Sequence, residues 1–105
     1  MELVLQTHVF EKYRKELSPL DGSVMEGCRV NPEKLSEKIK EKGDWFHNDS
    51  YDGCKNPVLC FVGHKEVYAG RIENSAVIIH TCYRYKRHKH DSLRESLEPY
   101  EPHFT

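Results

Sequence analysis

Apolar positions recur along this chain in two rhythms, a helical one in the first part and a strand-like one afterwards. Leu3-Val4-Leu5 is a short apolar start, a strand or a strap across the core. Thr7 offers its hydroxyl as a helix cap, and Val9, Phe10, Tyr13 and Leu17 then form one apolar face at helical spacing. Ser18-Pro19 ends that helix, because the residue before a proline avoids the helical region. Asp21-Gly22-Ser23 reads as a turn, and Val24–Val30 stays unassigned. Asn31-Pro32-Glu33 combines a cap, a first-turn proline and an acid at the positive end of the helix dipole. The spacing predicts a second helix from there to about Lys42, closed by Gly43, with Leu35 and Ile39 as its apolar positions.

After Gly43 the period shortens to two. Trp45-Phe46-His47, Val58–Val62, Val67–Ile72 and Ala76–Tyr85 read as strands, and Glu73-Asn74-Ser75 joins the last two as a hairpin. Two helices followed by strands predict an α+β domain, with both N-terminal helices on one face of an antiparallel sheet of about four strands. The last strand, rich in β-branched and aromatic residues, is expected inside the sheet. Residues 1–90 are assigned to this single domain. Residues 91–105, with Glu95, Glu98, Glu101, Pro99 and Pro102, are expected to form an extended, mobile acidic tail able to fold back over a basic patch.

Composition narrows this picture. A chain of 105 residues has room for one core. Its mean hydropathy of -0.78 is polar, yet six Tyr, four Phe and one Trp exceed what a disordered chain carries. No apolar run approaches the ~20 residues of a membrane span. The start lacks the basic, then apolar, order of a signal peptide, so the expected setting is cytoplasmic with free thiols. Net charge of -1 excludes general attraction to nucleic acid and leaves a local patch open. Cys28, Cys54, Cys60 and Cys82 lack the close pairing of structural zinc sites, so no metal and no cofactor is expected. A small zinc-stabilised module remains the third alternative, because seven histidines accompany the thiols.

Candidate chemistry gathers on the last strand and after it. By alternation His80, Cys82 and Arg84 share one face, with His80 and Arg84 about 13 Å apart at strand rise. Arg71 across the hairpin adds a cation. Histidine beside arginines is what RNA cleavage needs: one group takes the 2′-hydroxyl proton, another protonates the leaving oxygen, and cations hold the phosphorane. The alternative is an ordinary hydrogen-bonded strand histidine. His8 and Lys12 share a helix face at i, i+4, either as acid–base and phosphate groups or as half-exposed first-turn residues. The run Arg84-Tyr85-Lys86-Arg87-His88-Lys89-His90 interleaves cations with rings, as nucleic-acid binding requires; as a solvated end, it would protect an edge strand from aggregation. Within it, Lys86, Arg87 and Lys89 are candidate phosphate contacts.

Gln6-Thr7-His8-Val9-Phe10-Glu11-Lys12-Tyr13-Arg14 resembles the opening helix of small RNase domains of the barnase–EndoU–colicin–RelE-like grouping. Val67-Tyr68-Ala69-Gly70-Arg71 followed by Val77–Tyr83 resembles their closing hairpin. The resemblance implies a metal-independent ribonuclease, often a toxin or a phage-borne effector. It assigns His8 and Lys12 to the helix contribution, and His80, Thr81 and Arg84 to the sheet contribution. Four cysteines and the basic-then-acidic end depart from that pattern. The leading expectation is thus an RNA-cleaving or RNA-binding domain, monomeric or weakly dimeric, with His8 and His80 as acid and base. The alternative is a non-enzymatic adaptor or inhibitor that binds a host protein or nucleic acid through its basic strand end.

Overall fold

A computed structural model describes residues 1–105. The elements are β1 (Glu2–Leu5), α1 (Thr7–Lys12) running into a π-helical turn (Tyr13–Leu17), β2 (Met25–Glu26), β3 (Arg29–Val30) and α2 (Pro32–Lys42). Then follow β4 (Gly43–His47), β5 (Pro57–Val62), β6 (Glu66–Glu73), β7 (Ala76–Arg84) and α3 (Arg87–Ser96). The α+β class holds, with a different sheet from the one expected. Five strands lie in the order β1-β7-β6-β5-β4, and β1 runs parallel to β7 while the other neighbours are antiparallel. The unassigned Val24–Val30 stretch contains the separate β2–β3 hairpin, turned at Gly27 with φ 61°.

The inner face of the sheet carries the main core. Val9, Tyr13 and Leu17 from the first helix and Leu35 and Ile39 from α2 pack on Val58, Cys60, Tyr68, Val77, Ile79 and Cys82. In the π turn Ser18 N–H donates to Tyr13 C=O, and this wider turn keeps both Tyr13 and Leu17 buried. Asn31 caps α2 as expected, its Oδ1 accepting from Lys34 N–H at 3.1 Å. Gly43 does more than close α2, because it also opens β4. A Cβ there would lie 2.4 Å from the Ile39 carbonyl oxygen and 2.6 Å from Cys60 Sγ, so the helix passes directly into the strand only with glycine.

The outer face is where the sequence reading needs correction. Residues 87–96, expected as basic strand end and tail, form α3, so the boundary placed at residue 90 falls inside a helix. Leu93 and Leu97 join Phe46, Leu59, Phe61, Val67 and Tyr85 in a second apolar cluster. His90, only 1% exposed, stacks on Tyr83, with centroids 5.7 Å apart, and lies 5.3 Å from Tyr85. Its Nδ1 accepts from Lys86 N–H, which leaves the proton on a buried, unpartnered Nε2. Arg94 spreads over the Phe61 ring and donates to Gly63 C=O and Asp44 Oδ2.

The residues beyond α3 are extended but docked, which corrects the expected mobile tail. His47 N–H donates to Glu98 C=O, Tyr100 N–H donates to Trp45 C=O, and Phe46 bridges Pro99. Phe104 packs on Trp45 at 5.7 Å, and Thr105 N–H reaches Met1 C=O. The tail therefore covers the β4 edge. It does not lie over the basic segment, because the Trp45 and His47 backbone groups and the Trp45 ring give it better partners than exposed cations do.

Candidate nucleic-acid interface

The chemistry of β7 turns on a bulge. Ile79 pairs with Gly70 and Thr81 with Ala69, so His80 is an extra residue on β7. A Cβ on Gly70 would meet the Ile78 carbonyl oxygen at 2.0 Å, so only glycine admits this local approach. The extra residue shifts the alternation by one. Val77, Ile79 and Cys82 face the inner core, while Tyr83 and Tyr85 belong to the outer cluster. His80 and Thr81 consequently sit together on the outer face. Arg84 lies on the other side, where its Nε–H donates to the Glu16 carbonyl at 2.7 Å. The shared face expected for His80 and Arg84 is thus corrected by the bulge, which unbroken period-2 reading could not anticipate.

Arg71 and His80 are brought together. Arg71 Nη1 donates to His80 Nε2, and Arg71 Nε donates to Glu73 at 2.7 Å. Nε2 is then an acceptor and the imidazole is neutral. Burial, and then the charge of Arg71, push its pKa below the ordinary 6.5. The NMR titration of His80 is therefore expected to have its midpoint below 6.5. Arg71→Ala is expected to move it part of the way back up. An unmoved midpoint in that variant would show that the two groups are uncoupled.

The remaining expected residues lie elsewhere. His8 is exposed in the first turn of α1 and makes no hydrogen bond or ion pair with His80, Arg71 or any other group. Lys12 pairs with Glu16 at 3.8 Å on its own helix. Arg84, Lys86, Arg87 and Lys89 are all exposed, and none has a carboxylate partner. Tyr85 N–H donates to Lys65 C=O and the His64 ring lies 5.3 Å from Tyr85, which brings the exposed β5–β6 turn beside this run. Lys65 and His64 lie beside the cationic run and were missed by sequence reasoning, since only the strand pairing brings them there.

The four cysteines do not gather. Cys60 and Cys82 are buried, Cys28 lies in the β2–β3 turn and Cys54 in the loop before β5, and all are free. Burial pushes the Cys82 thiol up to about 12. No three His, Cys, Asp or Glu side chains are grouped as a metal-ligand set. No helix is long and apolar enough to cross a membrane.

A second polar cluster, also missed, is buried on the inner face. Lys38 Nζ donates to Glu66 Oε2, to Asp21 Oδ2 at 2.7 Å and to the Tyr13 hydroxyl at 3.2 Å, and Tyr68 OH donates to Glu66 Oε1 at 2.5 Å. Glu66 is 2% exposed. Only the helical stripe Lys34, Lys38, Lys42 hinted at it, and that stripe reads equally well as a solvated surface.

No protein-family model matches this chain, and no characterised protein and no solved structure is significantly similar to it.

Proposed function

We propose that this domain binds single-stranded RNA along β7, from the Arg71–His80 pair to the cationic turn into α3. The observation that supports this reading is the clustering of charge: Lys86, Arg87 and Lys89 lie exposed and without carboxylate partners in one turn, on a chain whose net charge is -1, while Arg84 beside them is held to the Glu16 carbonyl on the other face. Six cations elsewhere, Lys12, Lys34, Lys38, Lys40, Arg71 and Arg94, have carboxylate partners; Arg14, Lys15, Arg29, Lys42 and Lys55 do not, but no more than two of them adjoin in the chain, and Lys65 lies beside the run. From His80 to Lys86 is about 20 Å at strand rise, the reach of a few nucleotides. Thr81 adds a hydroxyl to that path, beside the Tyr83 ring that is stacked on His90 of α3.

Cleavage is the second reading, favoured by the pairing of a neutral histidine with an arginine. A phosphate that takes the Arg71 hydrogen bond frees His80 Nε2 for the neighbouring 2′-hydroxyl proton. The leaving oxygen then takes its proton from solvent water, because His8 stands on α1 and makes no hydrogen bond or ion pair with Arg71 or His80.

Fluorescence anisotropy with a labelled single-stranded RNA, in chelator and across a salt series, tests both readings. Arg87→Ala with Lys89→Ala is expected to weaken binding by about 10–100-fold and to reduce the salt slope by about 1.4, the loss of two single-strand phosphate contacts. Cleaved product is expected to end in a cyclic phosphate, with DNA intact and with about 100-fold slower cleavage in His80→Ala. Failure to bind RNA at low salt would overturn the proposal and favour the adaptor.

A further inference from the structure

We infer that two copies of this chain pair through the outer edge of β1, giving a symmetric dimer with one continuous sheet. The two edges of the sheet differ. The β4 edge is covered by the chain's own residues, through the Glu98 and Tyr100 backbone bonds. The β1 edge has no such cover along Leu3–Leu5. Glu2 and Gln6 N–H donate toward β7, to Ser75 and Ile79, so by alternation the N–H and C=O groups of Leu3 and Leu5 point outward. An edge strand with free ladder groups is a template for another strand.

The sequence of β1 is complementary to itself in one register. An antiparallel pair about a twofold axis at Val4 sets Leu3 opposite Leu5 of the second copy, so both residues exchange N–H···O=C bonds. Val4, 39% exposed in the single chain, then faces its own counterpart at the axis. The alternative register, centred on Leu3, needs the outward Met1 carbonyl, and Thr105 N–H already occupies that group.

The groove beside the edge supplies the second argument. It measures about 460 Å³ and lies between β1 and α2, with Leu3, Leu5 and Phe10 as its apolar part and Glu33, Glu37 and Lys40 on the helix. The twofold axis sets the two α2 helices antiparallel. Lys40, near the end of α2, then faces Glu33 and Glu37, nearer the start of the second copy's helix. The apolar part meets its own counterpart, and Lys40, paired with Glu37 at 4.0 Å in its own chain, also comes to face the second copy's Glu33, which has no ion pair of its own.

Sedimentation of the whole chain from low micromolar to near-millimolar concentration tests this. The expected result is a monomer–dimer equilibrium that Val4→Lys weakens by about tenfold or more, since it sets two ammonium groups against each other at the axis. Lys40→Glu and Glu33→Lys are each expected to weaken the dimer by about tenfold, and the two together to restore it, which a merely structural role would not do. Thermal melts check that each variant is folded. Val4→Lys and Leu5→Pro give independent probes of the edge, because Pro at position 5 removes an outward N–H rather than one bonded to β7. A chain that stays monomeric throughout overturns the inference, and so does a dimer indifferent to Val4→Lys and to the charge exchange.

Discussion

Glu66→Ala is expected to destabilise the fold by about 3 kcal/mol, the low end for breaking a buried ion pair, because Lys38 keeps Asp21 as its counter-charge while the Tyr68 hydroxyl loses its acceptor. Glu66 accepts from both Lys38 and the Tyr68 hydroxyl, and Tyr68 is fully buried. Losing the carboxylate strands the Tyr68 phenol and leaves Asp21 as the only counter-charge of the Lys38 ammonium. Unlike an isolated pair, this one is not rescued by replacing both ends. Lys38→Met with Glu66→Leu still leaves Tyr68 OH without an acceptor, so recovery is expected to be partial, and adding Tyr68→Phe should complete most of it. Urea unfolding midpoints measure all three. A loss below about 1 kcal/mol for Glu66→Ala would show that water or rearrangement replaces the carboxylate.

The same cluster sets the pH response. Lys38 holds the Asp21 carboxyl well below its usual 3.8, through a direct hydrogen bond. The unfolded chain therefore takes the proton first, and Asp21's contribution is present above pH 3.8 and lost as pH falls further. Lys38 itself is raised above 10.5 by Asp21 and Glu66, whose hydrogen bonds outweigh the cost of its burial. Its contribution is complete below 10.5 and fades as pH rises beyond that value. Lys38→Met is expected to flatten both limbs.

Deleting residues 97–105 is expected to lower the melting temperature by about 15 °C or more, from a loss of about 3–5 kcal/mol. Leu97, Tyr100 and Phe104 each pack part of their surface on the two cores, and the segment also supplies backbone bonds to Trp45, His47 and Met1. Phe104→Ala alone should cost about 2 kcal/mol, less than a fully buried ring, because Phe104 is half-buried. Removing the segment also bares the β4 edge, so the truncated chain should aggregate on heating. Calorimetry of the full and shortened chains decides it: an unchanged transition would return the tail to the status of a loose end.

What was legible in the sequence was local. The Asn31 cap with Pro32 and Glu33, the strand rhythm of Val58–Val62 and the hairpin before Ala76 are carried by neighbouring residues, and so they can be read from them. The third helix was hidden because its sheet-facing stripe is the buried His90 with the half-buried Leu93 and Arg94, continued by Leu97 at its C-cap. Only Phe61, Tyr83 and Tyr85, brought across from two strands, make a histidine and an arginine suitable core-facing residues.

The candidate interface divides along the same line. The cationic run at Arg84–Lys89 is continuous in the chain, and its exposure follows from its composition. The Arg71–His80 pair needs the β6–β7 register, and its face depends on one bulge that no alternation contains. Lys38 and Glu66 meet across a separation of 28 residues. The amino-acid sequence by itself determined the α+β class, the start and end of α2 and the cationic run after β7, since these follow from spacing and short-range chemistry. Which strand lies parallel, which face His80 takes, and where the C-terminal residues dock were decided only by tertiary packing, because each depends on groups that folding alone brings within a few ångströms.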